Sequence, residues 1–336
     1  MNPVHRRIAQ VAILFLASTA AIAQDVDRPG LRERLRERIE QRREPAPADM
    51  AAGTTEYSLH HGGLTRKYLL HVPARRAPGV PLPLAIAFHG GGGHAEYMAD
   101  DARYGWVSKA DREGFAVAFP NGYSKLPGGR FATWNAGQCC GDARDKNIDD
   151  VGFIRALVAD VRSRLPIDPA RIFATGMSNG GMLSHRLACD AADLFRAIAS
   201  VAGTDATTTC TPSRAVSVLH IHAKDDTHVL YNGGAGPDAF RDPSKVFSFV
   251  SVPDTLARWA MRNHCSPNPV RTMERPGAYC EAYSGCAAGT QLQLCVTESG
   301  GHSWPGTERV RRGKEPASQA IDATDVIWGF FVEVGR

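Results

Sequence analysis

An α/β fold with a mostly parallel central sheet and helices on both faces is what the sequence predicts, and two observations carry that expectation. From Glu56 onward, short β-rich runs alternate with stretches of helical periodicity, the pattern left by parallel strands joined through crossover helices. One of those runs, 172–175, leads through Gly176-Met-Ser-Asn-Gly180 into an apolar helical pattern at Met182, Leu183, Leu187 and Ala188. That order reads as strand, sharp turn and helix.

The expected strands are 66–72, 84–88, 115–119, 171–175, 216–221 and 292–297. Phe153, Ile154, Leu157, Val158 and Val161 share one helical face that ends before Pro166, and Ile321, Val326, Ile327, Phe330 and Phe331 predict a closing helix. No internal repeat and no Ser/Thr/Pro linker follows residue 53, and 336 residues at 43% hydrophobic are enough for a well-buried core. A single catalytic-size domain over 54–336 is the simplest organisation.

Ahead of it, residues 1–23 read as a secretory signal peptide: basic Arg6 and Arg7, an apolar run over 8–21, and Ala21-Ile22-Ala23 as a small-residue cleavage site. The run is shorter than the roughly 20 apolar residues of a spanning helix, and no cysteine follows for lipid attachment. A secreted or periplasmic protein without a membrane anchor, beginning near Gln24, is expected. The formal charge of +4 falls to +2 once Arg6 and Arg7 are removed, too weak a balance to point to nucleic acid. Residues 24–53 form a charged helical or disordered leader. Its Leu31, Leu35 and Ile39 make one thin apolar stripe, which leaves a partner-binding or surface-tethering helix as the alternative, and its nearly cancelling charges argue against an anionic membrane.

Eight cysteines in an exported chain imply disulfides. If 278–298 is a hairpin turning at 287–289, Cys280 and Cys295 are equidistant from the turn and face each other, which leaves Cys286 for Cys265. Cys139, Cys140, Cys189 and Cys210 pair among themselves in a connectivity the spacing leaves open, a bond between the adjacent Cys139 and Cys140 being sterically awkward.

The chemistry centres on Ser178. Glycine on both sides of a serine permits close strand-to-helix approach and pushes the hydroxyl out above the sheet. A serine hydroxyl becomes a nucleophile only beside a base, and the base needs an acid to fix its tautomer. His302, in the glycine-flanked loop Gly300-Gly-His-Ser-Trp-Pro-Gly306 just past the last expected strand, is the base candidate. The acid is Asp226 or its neighbour Asp225, in the loop after strand 216–221, and the other of the two is a surface charge. The strand 84–88 ends in His89-Gly-Gly-Gly-Gly93, whose Gly90 and Gly91 amides can form an oxyanion site with that of Asn179. A phosphate-cradling loop is the alternative, but no Lys-Ser/Thr pair follows and the spacing fits no nucleotide fingerprint. A metal site is also weighed, because His220, His222, Asp225, Asp226 and His228 lie close together. Their spacing is off by one residue from the metallo-β-lactamase run and other ligands have no source, so His220 and His222 are expected to be structural and no metal is assigned.

With these residues in view, the chain resembles the polyhydroxybutyrate depolymerase-like esterases, a group of the α/β-hydrolase fold that includes feruloyl and acetylxylan esterases. The resemblance covers roughly 56–336. Arg66-Lys-Tyr-Leu-Leu-His-Val-Pro73 is similar to the group's opening strand, and Pro83-Leu-Ala-Ile-Ala-Phe-His-Gly90 onward to its oxyanion loop. Trp134-Asn-Ala-Gly-Gln-Cys-Cys-Gly141 with Asp149-Asp-Val-Gly-Phe153 is similar to a further signature, and Gly176-Met-Ser-Asn-Gly-Gly-Met182 and Gly301-His-Ser-Trp-Pro-Gly306 to its nucleophile and histidine motifs. The resemblance implies Ser178 as nucleophile, His302 as base and, through the pattern His-Gly-x-x-Asp aligned on His222, Asp226 as acid. This chain departs from that pattern with Ala223 in place of glycine, and Leu230 stands before Tyr231 where proline is common. Asp149 and Asp150 are expected to cap a helix.

The expected activity is hydrolysis of a small, oligomeric or polymer-linked carboxylic ester through an acyl-enzyme, without cofactor. Trp134, beside the cysteine pair, and Trp304, two residues past the base, are expected to wall the substrate pocket. Depolymerases of solid polyester usually carry an appended polymer-binding module, and this chain closes on its helix; soluble or hydrated esters are therefore expected, either hydroxyalkanoate oligomers or feruloyl and acetyl esters of plant polysaccharide. A catalytically silent carbohydrate- or polyester-binding protein is the distant alternative, disfavoured because all three triad residue types are present.

Overall fold

The computed structural model describes residues 52–77, 79–239, 248–310 and 316–336. The expected signal peptide lies outside the described residues, as does the leader apart from residues 52 and 53. Among the described residues ten strands form one sheet: β1 Gly53–His61, β2 Leu64–Val72, β3 Leu82–Phe88, β4 Ala116–Pro120, β5 Ile167–Met177, β6 Ala197–Val201, β7 Ser217–Ala223, β8 Val270–Arg275, β9 Ala278–Tyr283 and β10 Leu292–Thr297. Their order is β1-β2-β4-β3-β5-β6-β7-β10-β9-β8. The six central strands, β4 to β10 in that order, run parallel, and antiparallel pairs flank them on both sides. The helices are α1 Ala95–Met98, α2 Asp101–Tyr104, α3 Trp106–Glu113, α4 Gly141–Asp145, α5 Asp150–Arg164, α6 Asn179–Asp190, α7 Val252–Arg262 and α8 Ala323–Val334.

Both faces of the parallel core are covered, which is why its strands read as continuous apolar runs. Leu84, Ile86 and Phe88 of β3 pack on one side with α5, α6 and α7, whereas Ala85 and Ala87 point to the other side, toward the cluster that holds α3 and α8. There Trp328 stacks on Phe115 and Phe331 on Phe173. Every expected strand is present, β10 with the expected bounds and the others lengthened or shifted by a few residues. β1, β6 and β8 were not foreseen: β6 is Ala-Ile-Ala-Ser-Val, five buried residues without alternation, and nothing in so short a run separates strand from helix.

The hairpin turns where the spacing predicts, with Cys280 opposite Cys295 in register. Those two are bonded, as are Cys265 and Cys286. The four remaining cysteines pair as Cys189–Cys210 and as the adjacent Cys139–Cys140.

Asp149 caps α5 by accepting the Gly152 N–H at 2.8 Å. Asp150 does something else. It is fully buried, pairs with Arg66 of β2 at 2.7 Å and accepts the Asn135 N–H at 2.8 Å. Arg66, itself buried, also lies over the Phe153 ring and donates to Asn121 O. This pair ties β2, α5 and the 134–141 loop together, and truncating one partner strands a charge in the core. Asp150→Ala should therefore cost about 3–5 kcal/mol in denaturant unfolding; a loss under about 1 kcal/mol would show the pair to be dispensable.

Candidate active site

Parallel strands deliver their following loops to one edge of the sheet. The loops after β3, β5, β7 and β10 carry His89–Gly93, Ser178, Asp226 and His302 in turn. The edge opens into a cleft of about 1250 Å³ whose lining includes Gly90, Gly91, Ser178, Asn179, His302 and Trp304.

Ser178 has φ 55° and ψ −120°, a conformation that a side chain adopts only under constraint. The constraint is visible on both sides. Its N–H donates to Val201 O of β6 at 2.8 Å, and its carbonyl accepts from Met182 N at 2.9 Å. A Cβ added at Gly180 would come within 2.5 Å of Phe88 O, and one at Gly176 within 2.6 Å of the Gly180 carbonyl carbon. Only glycine lets α6 start this close to β3 and β5.

Asn179 is the first residue of α6, so its N–H has no partner within the helix. Its side chain is fixed: Oδ1 accepts from Trp134 N at 2.7 Å and Nδ2 donates to Trp134 O at 3.0 Å. In the glycine loop, Gly92 N–H donates to Ala132 O and Gly93 N–H to Gly90 O. That use sets Gly92 and Gly93 apart from the two amides, Gly90 and Gly91, assigned to the oxyanion site. Buried His89 fixes the loop from behind, accepting the Gly122 N–H on Nε2 and donating from Nδ1 to Gly90 O.

Asp226 is 2% exposed. Its Oδ1 accepts the backbone N–H groups of His228 and Val229, and its Oδ2 accepts from His302 Nδ1 at 2.8 Å. A proton on His302 Nδ1 leaves Nε2 with its lone pair, the tautomer a base requires. Burial works against the carboxylate, but the electrostatic pull of the adjacent imidazoles and the hydrogen bonds from His222 and His302 outweigh it and hold Asp226 far below the usual carboxylate range.

The structure extends one expectation, corrects another and adds a residue. Asp225 is not merely a surface charge: its carboxylate accepts the Gly300 and Gly301 N–H groups at 3.2 and 2.8 Å, fastening the loop that carries His302. Trp134 does not wall the pocket. It is 0% exposed, lies against Phe88 and His89, and donates its indole N–H to His89 O at 2.9 Å, so it braces the oxyanion loop. Trp304 does line the cleft, although it is only 4% exposed and its indole N–H goes to Thr324. His228, grouped by sequence only with possible metal ligands, stacks on His302 with ring centroids 4.4 Å apart.

Asp226, His228 and His302 place three ligand-type atoms within 4.8 Å of one another. Asp226 and His302 already face each other in a hydrogen bond, and the arrangement reads as an acid–base pair with a stacked ring. His220 and His222 lie buried in β7; His222 has one ring nitrogen facing His220 at 3.0 Å and the other donating to Val229 O at 2.8 Å.

Among proteins of known sequence, residues 66–240 match the family model described as esterase PHB depolymerase. Feruloyl esterase B of Piromyces equi is 31% identical over 71% of this chain and 42% of its own length; the chain thus spans less than half of that relative. Feruloyl esterase C of Emericella nidulans is 31% identical over 80% of this chain and 84% of its own. Among solved structures, the acetyl xylan esterase from Aspergillus awamori superposes with a TM-score of 0.56 at 14% identity, over 83% of this chain and 99% of that one. The shared architecture is the α/β-hydrolase fold.

Burial pushes the imidazoles of His89 and His185 down to about 4. Both stay neutral in the native chain where the unfolded chain, with an imidazole pKa of about 6.5, takes up protons. Stability therefore falls as pH drops from about 6.5 to about 4, by about 1.4 kcal/mol per pH unit for each such histidine. His185 Nδ1 accepts the Trp259 indole N–H at 2.9 Å, which a glutamine oxygen can also do. His185→Gln should flatten the slope of unfolding free energy against pH by that one-proton amount, and an unchanged slope would show that His185 is charged in the folded state.

Proposed function

This chain belongs to the esterase PHB depolymerase family, and from that premise we propose that it hydrolyses carboxylic esters through an acyl-serine intermediate. The observation that carries the reading is a strained, positive-φ serine at the end of a central strand, sharing one cleft with a histidine whose Nδ1 lies 2.8 Å from a buried carboxylate.

Ser178 Oγ attacks the ester carbonyl carbon while His302 Nε2 takes its proton. Asp226 keeps the Nδ1 proton in place and stabilises the imidazolium. The amides of Gly90, Gly91 and Asn179 receive the oxyanion, and a single such donor is worth about 3–4 kcal/mol in well-studied cases. As the tetrahedral intermediate collapses, the bond to the alcohol oxygen breaks and His302 gives that oxygen the proton. Water, activated by His302, then attacks the acyl-serine and releases the acid. The sequence of steps calls for no metal or organic cofactor.

The substrate assigned is a polymer-derived ester: a cleft of about 1250 Å³ exceeds the roughly 300–1,000 Å³ common for small-ligand sites and suits an oligomer such as a hydroxyalkanoate oligoester. A second reading, esters of feruloyl or acetyl groups on plant polysaccharide, is supported by relatives named as feruloyl esterases. Four cystine pairs support an oxidising, extracytoplasmic location, in keeping with a secretory leader over 1–23. Among the described residues no helix is long and apolar enough to cross a membrane.

Product analysis tests both readings. The enzyme is incubated with 3-hydroxybutyrate oligomers and with feruloylated and acetylated xylan oligosaccharides, Ser178→Ala serving as the control. We expect hydroxybutyrate release, or ferulate and acetate release for the second reading, with kcat/KM reduced about 10⁴-fold or more in the variant and its unfolding midpoint nearly unchanged. Near-wild-type turnover by Ser178→Ala would remove Ser178 from the mechanism.

A further inference from the structure

Among the described residues, six non-glycine residues have positive φ, and of these only Ser178 and Phe131 line the cleft. The strain at Ser178 is explained by the nucleophile turn. Phe131 has no such account. Its φ is 54°, a left-handed conformation that costs an L-residue about 1–2 kcal/mol, and the residue is 72% exposed, leaving a large apolar ring in water. Glycine at this position would remove both penalties.

The placement is firm. On one side Ala132 is bonded in both directions to the oxyanion loop, accepting from Gly92 N at 2.8 Å and donating to Gly93 O at 3.0 Å. On the other, Arg130 O accepts the Ser124 hydroxyl, and Tyr123 and Thr133 close the base of the loop with a reciprocal pair of 2.9 Å hydrogen bonds. The Phe131 backbone therefore stands in a fixed relation to the amides of the oxyanion loop. A strained backbone holding an apolar ring at the mouth of a cleft gains nothing in the free chain; the compensating contact lies with what enters the cleft.

We propose that Phe131 is a specificity-determining residue whose ring packs against a bulky, flat apolar group of the ester bound at Ser178. The inference rests on the esterase reading above and, of its two substrate readings, picks out the one whose ester carries an aromatic ring. It gives the site an exposed aromatic contact surface, the part sequence reasoning assigned to Trp134.

The test compares wild type, Phe131→Gly and Phe131→Tyr on three esters: methyl ferulate with a ring on the acyl side, phenyl acetate with a ring on the alcohol side, and ethyl butyrate with none. We expect Phe131→Gly to raise KM about tenfold for one or both ring-bearing esters and to leave ethyl butyrate within about twofold. Its Tm should equal or exceed that of wild type, because glycine relieves the backbone, and Phe131→Tyr should restore the wild-type KM. The inference is overturned if KM is unchanged for all three esters, if all three shift together, if Tm falls, or if wild type cleaves ethyl butyrate alone. Wild type inert on all three would instead sink the esterase reading itself, and this one with it.

Discussion

The backbone of Ser178 is the constraint around which the rest of the molecule is arranged. A residue at φ 55° and ψ −120° costs on the order of 1–3 kcal/mol and persists only where its surroundings over-determine it. Here β6 holds its amide, the first turn of α6 holds its carbonyl, and two glycines let the helix start against β3. The parallel sheet brings the other parts of the site to the same edge, since the loops after β3, β7 and β10 leave the same end of the sheet as the loop after β5. Position follows from topology, and strain is the cost of presenting one hydroxyl to the cleft.

Around that point the polar groups are fixed in layers. Trp134 links the nucleophile helix to the oxyanion loop through Asn179 and His89 O. Asp225 fastens the histidine loop by its backbone while Asp226 engages the ring, so adjacent carboxylates divide two tasks. Farther back, the Arg66–Asp150 pair anchors the loop from which Trp134 projects. His89, Asp150 and Asp226 are each held by named hydrogen-bond partners, and such preorganisation is what lets a site stabilise developing charge without rearranging.

Much of this was legible in the sequence because it is local. The strand, glycine-flanked turn and helix around Ser178 are contiguous, as are the loops of Asp226 and His302 with their strands, and the symmetric spacing of Cys280 and Cys295 about a turn marked a hairpin. What escaped depends on distance or on conformation. Asp225 finds its partners 75 and 76 residues away, and Arg66 is 84 residues from Asp150; no spacing rule reaches so far. A tryptophan near a cleft motif cannot be told from one beneath it until packing is known, hence the inversion at Trp134. Phe131 follows the turn residues Pro127, Gly128 and Gly129 but is not itself a residue that favours positive φ, and only its φ and exposure mark it.

The central claim is that Ser178 is the atom source of a covalent intermediate, and trapping it is the most direct measurement. The protein would be treated with a fluorophosphonate, which forms a stable adduct with an activated serine, and the adduct mapped by peptide mass spectrometry beside His302→Ala. The account predicts one adduct, on Ser178, in wild type and its near-complete loss in the variant. Ester turnover with Ser178 unlabelled, or with the label on another serine, would contradict it.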